Sequence, residues 1–137
     1  MNKTILITGG AQRIGKAISI FFANKGWNIA IHFNKSKKEA LLLQKQIVKI
    51  GVKCCIIKAD LAKHKQAKSI VKIANKKIGT INCLVNCASI FENDDITNFN
   101  NEKWQSHFNI NLKAPAILSS EFSKQKKKQK CKYYKYY

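Results

Sequence analysis

The sequence predicts an α/β chain, four strands paired in parallel in the order 3-2-1-4 with helices flanking them. Three observations carry this. Short apolar runs alternate with segments of helical apolar spacing four times over, the pattern of a parallel sheet covered on both faces. Glycines punctuate the segments at Gly26, Gly51 and Gly79. The first strand runs into "TGGAQRIG", Thr8 to Gly15, a glycine turn opening onto a helix.

The elements follow in order. "KTILIT" (3–8) is a short apolar run ended by Gly-Gly, as suits a buried parallel strand. Ile14, Ala17, Ile18, Phe21 and Phe22 then fall at helical spacing, and Gly26 stops that helix. "WNIAIHF" (27–33) is the second strand. Residues 36–50 form a helix, with Ser36 at its N-cap and Glu39 three residues on, the pattern of a capping box. Strand three is "VKCCIIKAD" (52–60), the third helix spans 63–77, and strand four is "INCLVNCAS" (81–89). A polar loop follows Phe91, and a long helix runs from about Asn101 to Lys124. Crossovers between such strands are right-handed.

Composition narrows the function classes. Apolar residues make up 45% of the 137, enough for a core. Apolar runs are strand-length, far short of a membrane span, and "MNKTILITGG" lacks the long apolar stretch of a signal peptide. A cytoplasmic location is therefore expected, and the five cysteines read as reduced, buried thiols with no metal site. The net charge of +19 raises nucleic acid as a partner. Arg13 is the one arginine, so 25 of the 26 basic residues are lysine, and A/T-rich codons account for much of that excess. Seven lysines lie in the last fourteen residues; without them 19 basic groups face 7 acidic ones, a net of +12 spread over helical segments.

The Thr8–Gly15 loop has the chemistry of a phosphate cradle. Gly9 permits a positive φ and close approach of a ligand, Gly15 lets helix and strand pack closely, and the helix N-terminus offers free N–H groups to a pyrophosphate. Such a loop at the head of this sheet points to a doubly wound, Rossmann-type nucleotide site. Gln12, Arg13 and Ile14 complete it. An acid at the end of strand two would mark a ribose 2′-hydroxyl. Here Asn34, Lys35 and Ser36 follow His32, with no acid before Lys38. Positive charge and a hydroxyl suit a 2′-phosphate, so NADP(H) is the expected cofactor, with the Arg13 fork on phosphate. Asp60 also reads as an N-cap for the helix after strand three.

Four motifs recur in order: Thr-Gly-x3-x-x-Gly at Thr8, Asp60-Leu61, Asn-x-Ala-Ser at Asn86 to Ser89, and "NINLKAP" at Asn109 to Pro115. Together they resemble the short-chain dehydrogenase/reductase family over residues 3 to about 123. Arg13 stands where the family's middle glycine does, "NCAS" replaces Asn-Asn-Ala-Gly, and strand two ends His-aromatic-x-x-Ser. These departures resemble the pteridine-reductase branch. The resemblance implies an NADPH-dependent reductase that transfers a hydride to a carbonyl or imine, with a small-molecule substrate such as a pterin. It implies that Asp60 and Leu61 hold the adenine, that Asn86, Ala88 and Ser89 lie along the ribose and nicotinamide, and that Phe91 and Arg13 meet the substrate. Asn111 resembles the catalytic asparagine whose carbonyl holds a water. Pro115 has no N–H to give that carbonyl. Intact relatives are expected to be homo-oligomers.

The family's proton donor and its lysine, a Tyr-x3-Lys pair, are absent from this sequence. The expectation is a partial NADP-binding Rossmann domain at 1–123, truncated relative to the family, with strand four an open edge prone to aggregation and no NADPH oxidation by the chain as it stands. Residues 124–137 form a basic tail, expected to be disordered. Its end, "KCKYYKYY", written in A/T-rich codons and read one base later, gives Asn-Val-Asn-Ile-Ile-Asn-Ile, a strand-like run where the family places strand five. The alternatives are a frameshift product, decided by whether the shifted frame continues into Tyr-x3-Lys, and a true tail whose tyrosines stack on nucleic-acid bases.

Overall fold

The computed structural model describes residues 2–125. The tail, with both readings of it, lies outside the described residues apart from Lys124 and Gln125. Eight principal elements appear in the expected order: β1 (Thr4–Ile7), α1 (Arg13–Asn24), β2 (Asn28–Phe33), α2 (Lys37–Ile50), β3 (Cys54–Lys58), α3 (His64–Ile78), β4 (Cys83–Val85), and a long helical segment. That segment comprises α4 (Asn101–Phe108), a π-helical turn (Asn109–Lys113) and α5 (Ala114–Lys124). The sheet is parallel throughout, in the order β3-β2-β1-β4.

Alternation along the strands divides the core into two layers. Ile5, Ile7, Ile29 and Ile31 face α1 and α2, where they meet Ala23, Ala40, Leu43 and Ile47. Leu6, Ala30, Cys55 and Ile57 face the other side, against Ala67, Ile70 and Val71 of α3 and Ala114, Leu118 and Phe122 of α5. Each fully buried Ile or Leu contributes about 2 kcal/mol, so β1, buried along its whole length, is the axis of the fold. No helix among the described residues is long and apolar enough to cross a membrane.

Four local expectations are corrected. Strand four ends at Val85, not 89, because the Thr8 hydroxyl accepts the N–H groups of Cys87 (3.0 Å) and Ala88 (3.1 Å) and turns the chain off the sheet. The capping box does not form: Ser36 sits at the N-cap, but its hydroxyl donates to Gln12 Oε1 at 3.0 Å. Asp60 does not cap α3, whose N-cap is Lys63; its carboxylate instead accepts the Ala62 N–H at 3.0 Å. The long helix is not α-helical throughout. The Ala114 N–H reaches back five residues to the Asn109 carbonyl, and Pro115 follows at once with no N–H to close a normal turn.

Candidate active site

Strand order reverses between β1 and β4, and in open parallel sheets ligands bind outside the carboxyl ends of the strands at such a point. A cavity of about 710 Å³ lies there. The loop after β1 forms its floor. Gly9 has φ +61°, and a Cβ on it would lie 2.9 Å from the Ala88 backbone. A Cβ on Gly15 would lie 2.1 Å from the Gly9 carbonyl oxygen, so only glycine lets helix and loop meet. The Ser19 hydroxyl, buried beneath, reaches the carbonyls of Gly15 (2.8 Å) and Gly10 (3.2 Å).

Helix α1 has no side-chain cap at Gln12 and no acid in its first turn. Its leading N–H groups are therefore open to an anion, and the helix dipole favours one. Arg13 begins the helix at φ +47°, the one positive φ outside glycine among the described residues. That left-handed conformation explains why a glycine suits this position, and an arginine there carries strain.

His32 is a strut. It is buried, its Nδ1 accepts the Gly9 N–H at 3.1 Å, and its Nε2 faces the Ala59 carbonyl at 2.9 Å. A nitrogen that accepts carries no proton, so Nε2–H is the donor. The His32 carbonyl also accepts the Gly10 N–H at 3.1 Å. One residue thus ties the glycine loop to β2 and to the end of β3. Burial holds the imidazole pKa below its ordinary 6.5, partly offset by the Ala59 hydrogen bond. Because the folded state favours the neutral ring, this contribution to stability is whole above pH 6.5 and falls as the unfolded ring protonates below it. The unfolding midpoint should therefore drop as pH falls from 7 to 5, and His32→Gln should flatten that slope; thermal melts across the range measure it.

Arg13, Lys35 and Asp60 bring charge to the cavity wall, and Gln12, Asn34 and Ser36 bring polar groups. Ile14, Leu61, Ala88 and Ser89 also line it. Of the expected cofactor residues, Asn86 alone stands outside; its amide lies 3.4 Å from Ser119 Oγ on α5. Phe91 is 88% exposed and off the cavity wall, though its neighbours Ile90 and Glu92 are on it. Asn111 lies in the π turn, where its side chain pairs with both backbone polar groups of Ile90, at 2.9 Å each.

Sequence reasoning left Thr8, Lys103 and His107 unassigned. The Thr8 hydroxyl knots the end of β1 to the chain after β4. His107 and Lys103 grip the loop beyond Ile90. Spacing offered a signal, since Lys103, His107 and Asn111 recur every four residues. The four thiols among the described residues are poor nucleophiles: burial pushes Cys54 up to about 12, with neighbouring Cys55 adding to it, and Cys55 up to about 11 despite Lys77. Burial raises Cys83 and Cys87 as well.

A family model described as short chain dehydrogenase matches residues 3–132. The 3-oxoacyl-[acyl-carrier-protein] reductase FabG of Staphylococcus epidermidis is 31% identical over 113 residues, 82% of this chain and 46% of that protein. Among solved structures, FolM alternative dihydrofolate reductase 1 from Brucella canis, complexed with NADP, has a TM-score of 0.85 and 39% identity over 90% of this chain and 50% of that one. A short chain dehydrogenase from Burkholderia cenocepacia in complex with NADP has a TM-score of 0.86 and 28% identity over 89% and 50%. The chain spans about half the length of these relatives.

Proposed function

The chain belongs to the short-chain dehydrogenase family, and on that premise we propose that its cavity takes NADP(H) in preference to NAD(H) and presents it to a flat, pteridine-like substrate. The observation that carries the cofactor preference is the end of β2. Lys35 and Ser36 line the cavity there beside Arg13, and no carboxylate lies between His32 and Lys38 to accept a 2′-hydroxyl. The donor set fits the dinucleotide. Uncapped N–H groups of α1 and the Arg13 guanidinium would hold phosphate, Lys35 and Ser36 the 2′-phosphate, Asp60 the adenine amino group, and Ala88 and Ser89 the nicotinamide side. Bound NADPH supplies a hydride. This chain's residues bind and orient, and the sequence contains no Tyr-x3-Lys to deliver the proton.

The pteridine reading draws on the likeness to a dihydrofolate reductase complexed with NADP, since dihydrofolate carries a pteridine ring, and on Arg13, Phe91 and the Asn-x-Ala-Ser segment. Short-chain dehydrogenases act on small molecules and typically assemble as oligomers. The exposed stripe of Trp104, Phe108 and Leu112 offers a face for assembly, with ring centroids of Phe99–Trp104 and Trp104–Phe108 at 5.7 and 4.9 Å. The family match leaves the nucleic-acid reading without support.

Thermal stabilisation tests the preference. Ligand at a hundredfold its Kd contributes about 2.7 kcal/mol, or roughly 8 °C in a chain of this size. NADPH should give such a rise and equimolar NADH a smaller one. Equal shifts, or a larger one with NADH, would overturn the reading.

A further inference from the structure

We propose that His107 is a positioning residue which, between Lys103 and Asn111, fixes the loop that carries Phe91. The stretch from Asn86 to Asp95 has no helix or strand of its own. Three side chains at intervals of four residues on the long helical segment hold it. The Lys103 ammonium donates to the Asn93 carbonyl at 3.2 Å, His107 Nε2 accepts the Glu92 N–H at 3.0 Å, and the Asn111 amide closes on Ile90. The central rung is the most constrained. Because Nε2 accepts, the proton sits on Nδ1, which donates to the Lys103 carbonyl at 2.7 Å. That second bond fixes the ring plane, so the ring cannot swing away from Glu92.

The consequence falls on the residue between the Asn111 and His107 rungs. Ile90 and Glu92 are held to the helix through their backbone, and both line the cavity. Phe91, flanked by them, projects outward at 88% exposure. Its height and tilt at the cavity's edge are set by rungs on either side. Without His107 the loop would be held at Ile90 and, through a long lysine chain, at Asn93, leaving residues 91 and 92 free to turn between them; the ring's hold on Glu92 removes that freedom. This role rests on the reading that the cavity takes a dinucleotide and a flat ring.

The test uses the full chain, His107→Ala and His107→Gln, in which the amide oxygen can stand where Nε2 does. Amide hydrogen exchange is read at Glu92, and binding of 6-methylpterin is measured with NADPH saturating. In His107→Ala, exchange at Glu92 should rise about tenfold, as for loss of one hydrogen bond. 6-Methylpterin should bind about tenfold more weakly, while the unfolding midpoint and the NADPH affinity stay near those of the unmodified chain. His107→Gln should recover both. Unchanged Glu92 exchange in His107→Ala, or a His107→Gln that behaves like it, overturns the proposal. If the unmodified chain binds neither NADPH nor 6-methylpterin, the cofactor and substrate reading falls, and Glu92 exchange with its rescue alone decides the role of His107.

Discussion

Gly15→Ala should cost about 3 kcal/mol or more and abolish protection by NADPH. The added Cβ would lie 2.1 Å from the Gly9 carbonyl oxygen and 2.8 Å from Gly10 Cα. Both are backbone atoms, so no flexible side chain can yield, and the phosphate loop itself must move. Against a total stability of about 5–15 kcal/mol, that is a large fraction, and the displaced loop is the one proposed to hold the pyrophosphate. Gly26→Ala is the control. Nothing lies within 4 Å of its Cβ position, but φ is +80°, so only the conformational cost of about 1 kcal/mol applies. Thermal melts with and without NADPH separate the two; a Gly15→Ala chain as stable and as well protected as the parent would refute the packing argument.

Arg13→Gly should move stability and affinity in opposite directions. At φ +47° an arginine is strained, and left-handed backbone costs an ordinary residue about 1–2 kcal/mol. Glycine removes that strain and returns part of the gain through its freer unfolded chain, for a net stabilisation of about 1 kcal/mol. The guanidinium goes with it. A charge-assisted hydrogen bond contributes about 1.5–3 kcal/mol, so NADPH should bind about 10- to 100-fold more weakly. Arg13→Lys keeps the strain and the charge but not the planar fork, and should fall between. Calorimetric titration beside thermal melts reads both quantities. An unchanged NADPH affinity in Arg13→Gly would remove Arg13 from the phosphate site.

Much of this was legible because it rests on short-range rules. Alternating apolar runs fixed β1 through β4, and glycines at positive φ marked Gly9, Gly26, Gly51 and Gly79. The residues expected around a dinucleotide, other than Asn86, gather at one cavity because they sit at strand ends, where topology alone brings them together. What escaped depends on tertiary partners. Ser36 had two partners open to its hydroxyl, an N–H of its own helix from which it would accept or the Gln12 side-chain oxygen twenty-four residues away to which it donates, and spacing cannot rank those. His32 reads from sequence as a polar residue near the ligand. Only the fold shows both ring nitrogens already engaged. The end of β4 was overestimated because the competitor for its N–H groups, the Thr8 hydroxyl, is nearly eighty residues distant. The π turn had a partial signal in Pro115, which predicts a freed carbonyl but not the wider turn around it.

That wider turn makes the helix unequally sensitive to changes of length. A π turn holds one residue more than α-helical winding needs. Deleting one residue from α4 or α5 would rotate the segment on one side by about 100° against the other, so that α4 and α5, or Ala114 and the later core residues Leu118 and Phe122, could no longer both face their present partners. Deleting one from Asn109–Lys113 would let the backbone close as plain α-helix, with α4 and α5 still facing as they do. The core would survive such a deletion, but the Asn111 amide would lose its place opposite Ile90. The helix thus carries a one-residue slack, placed where taking it up leaves the scaffold standing and lets go of the loop.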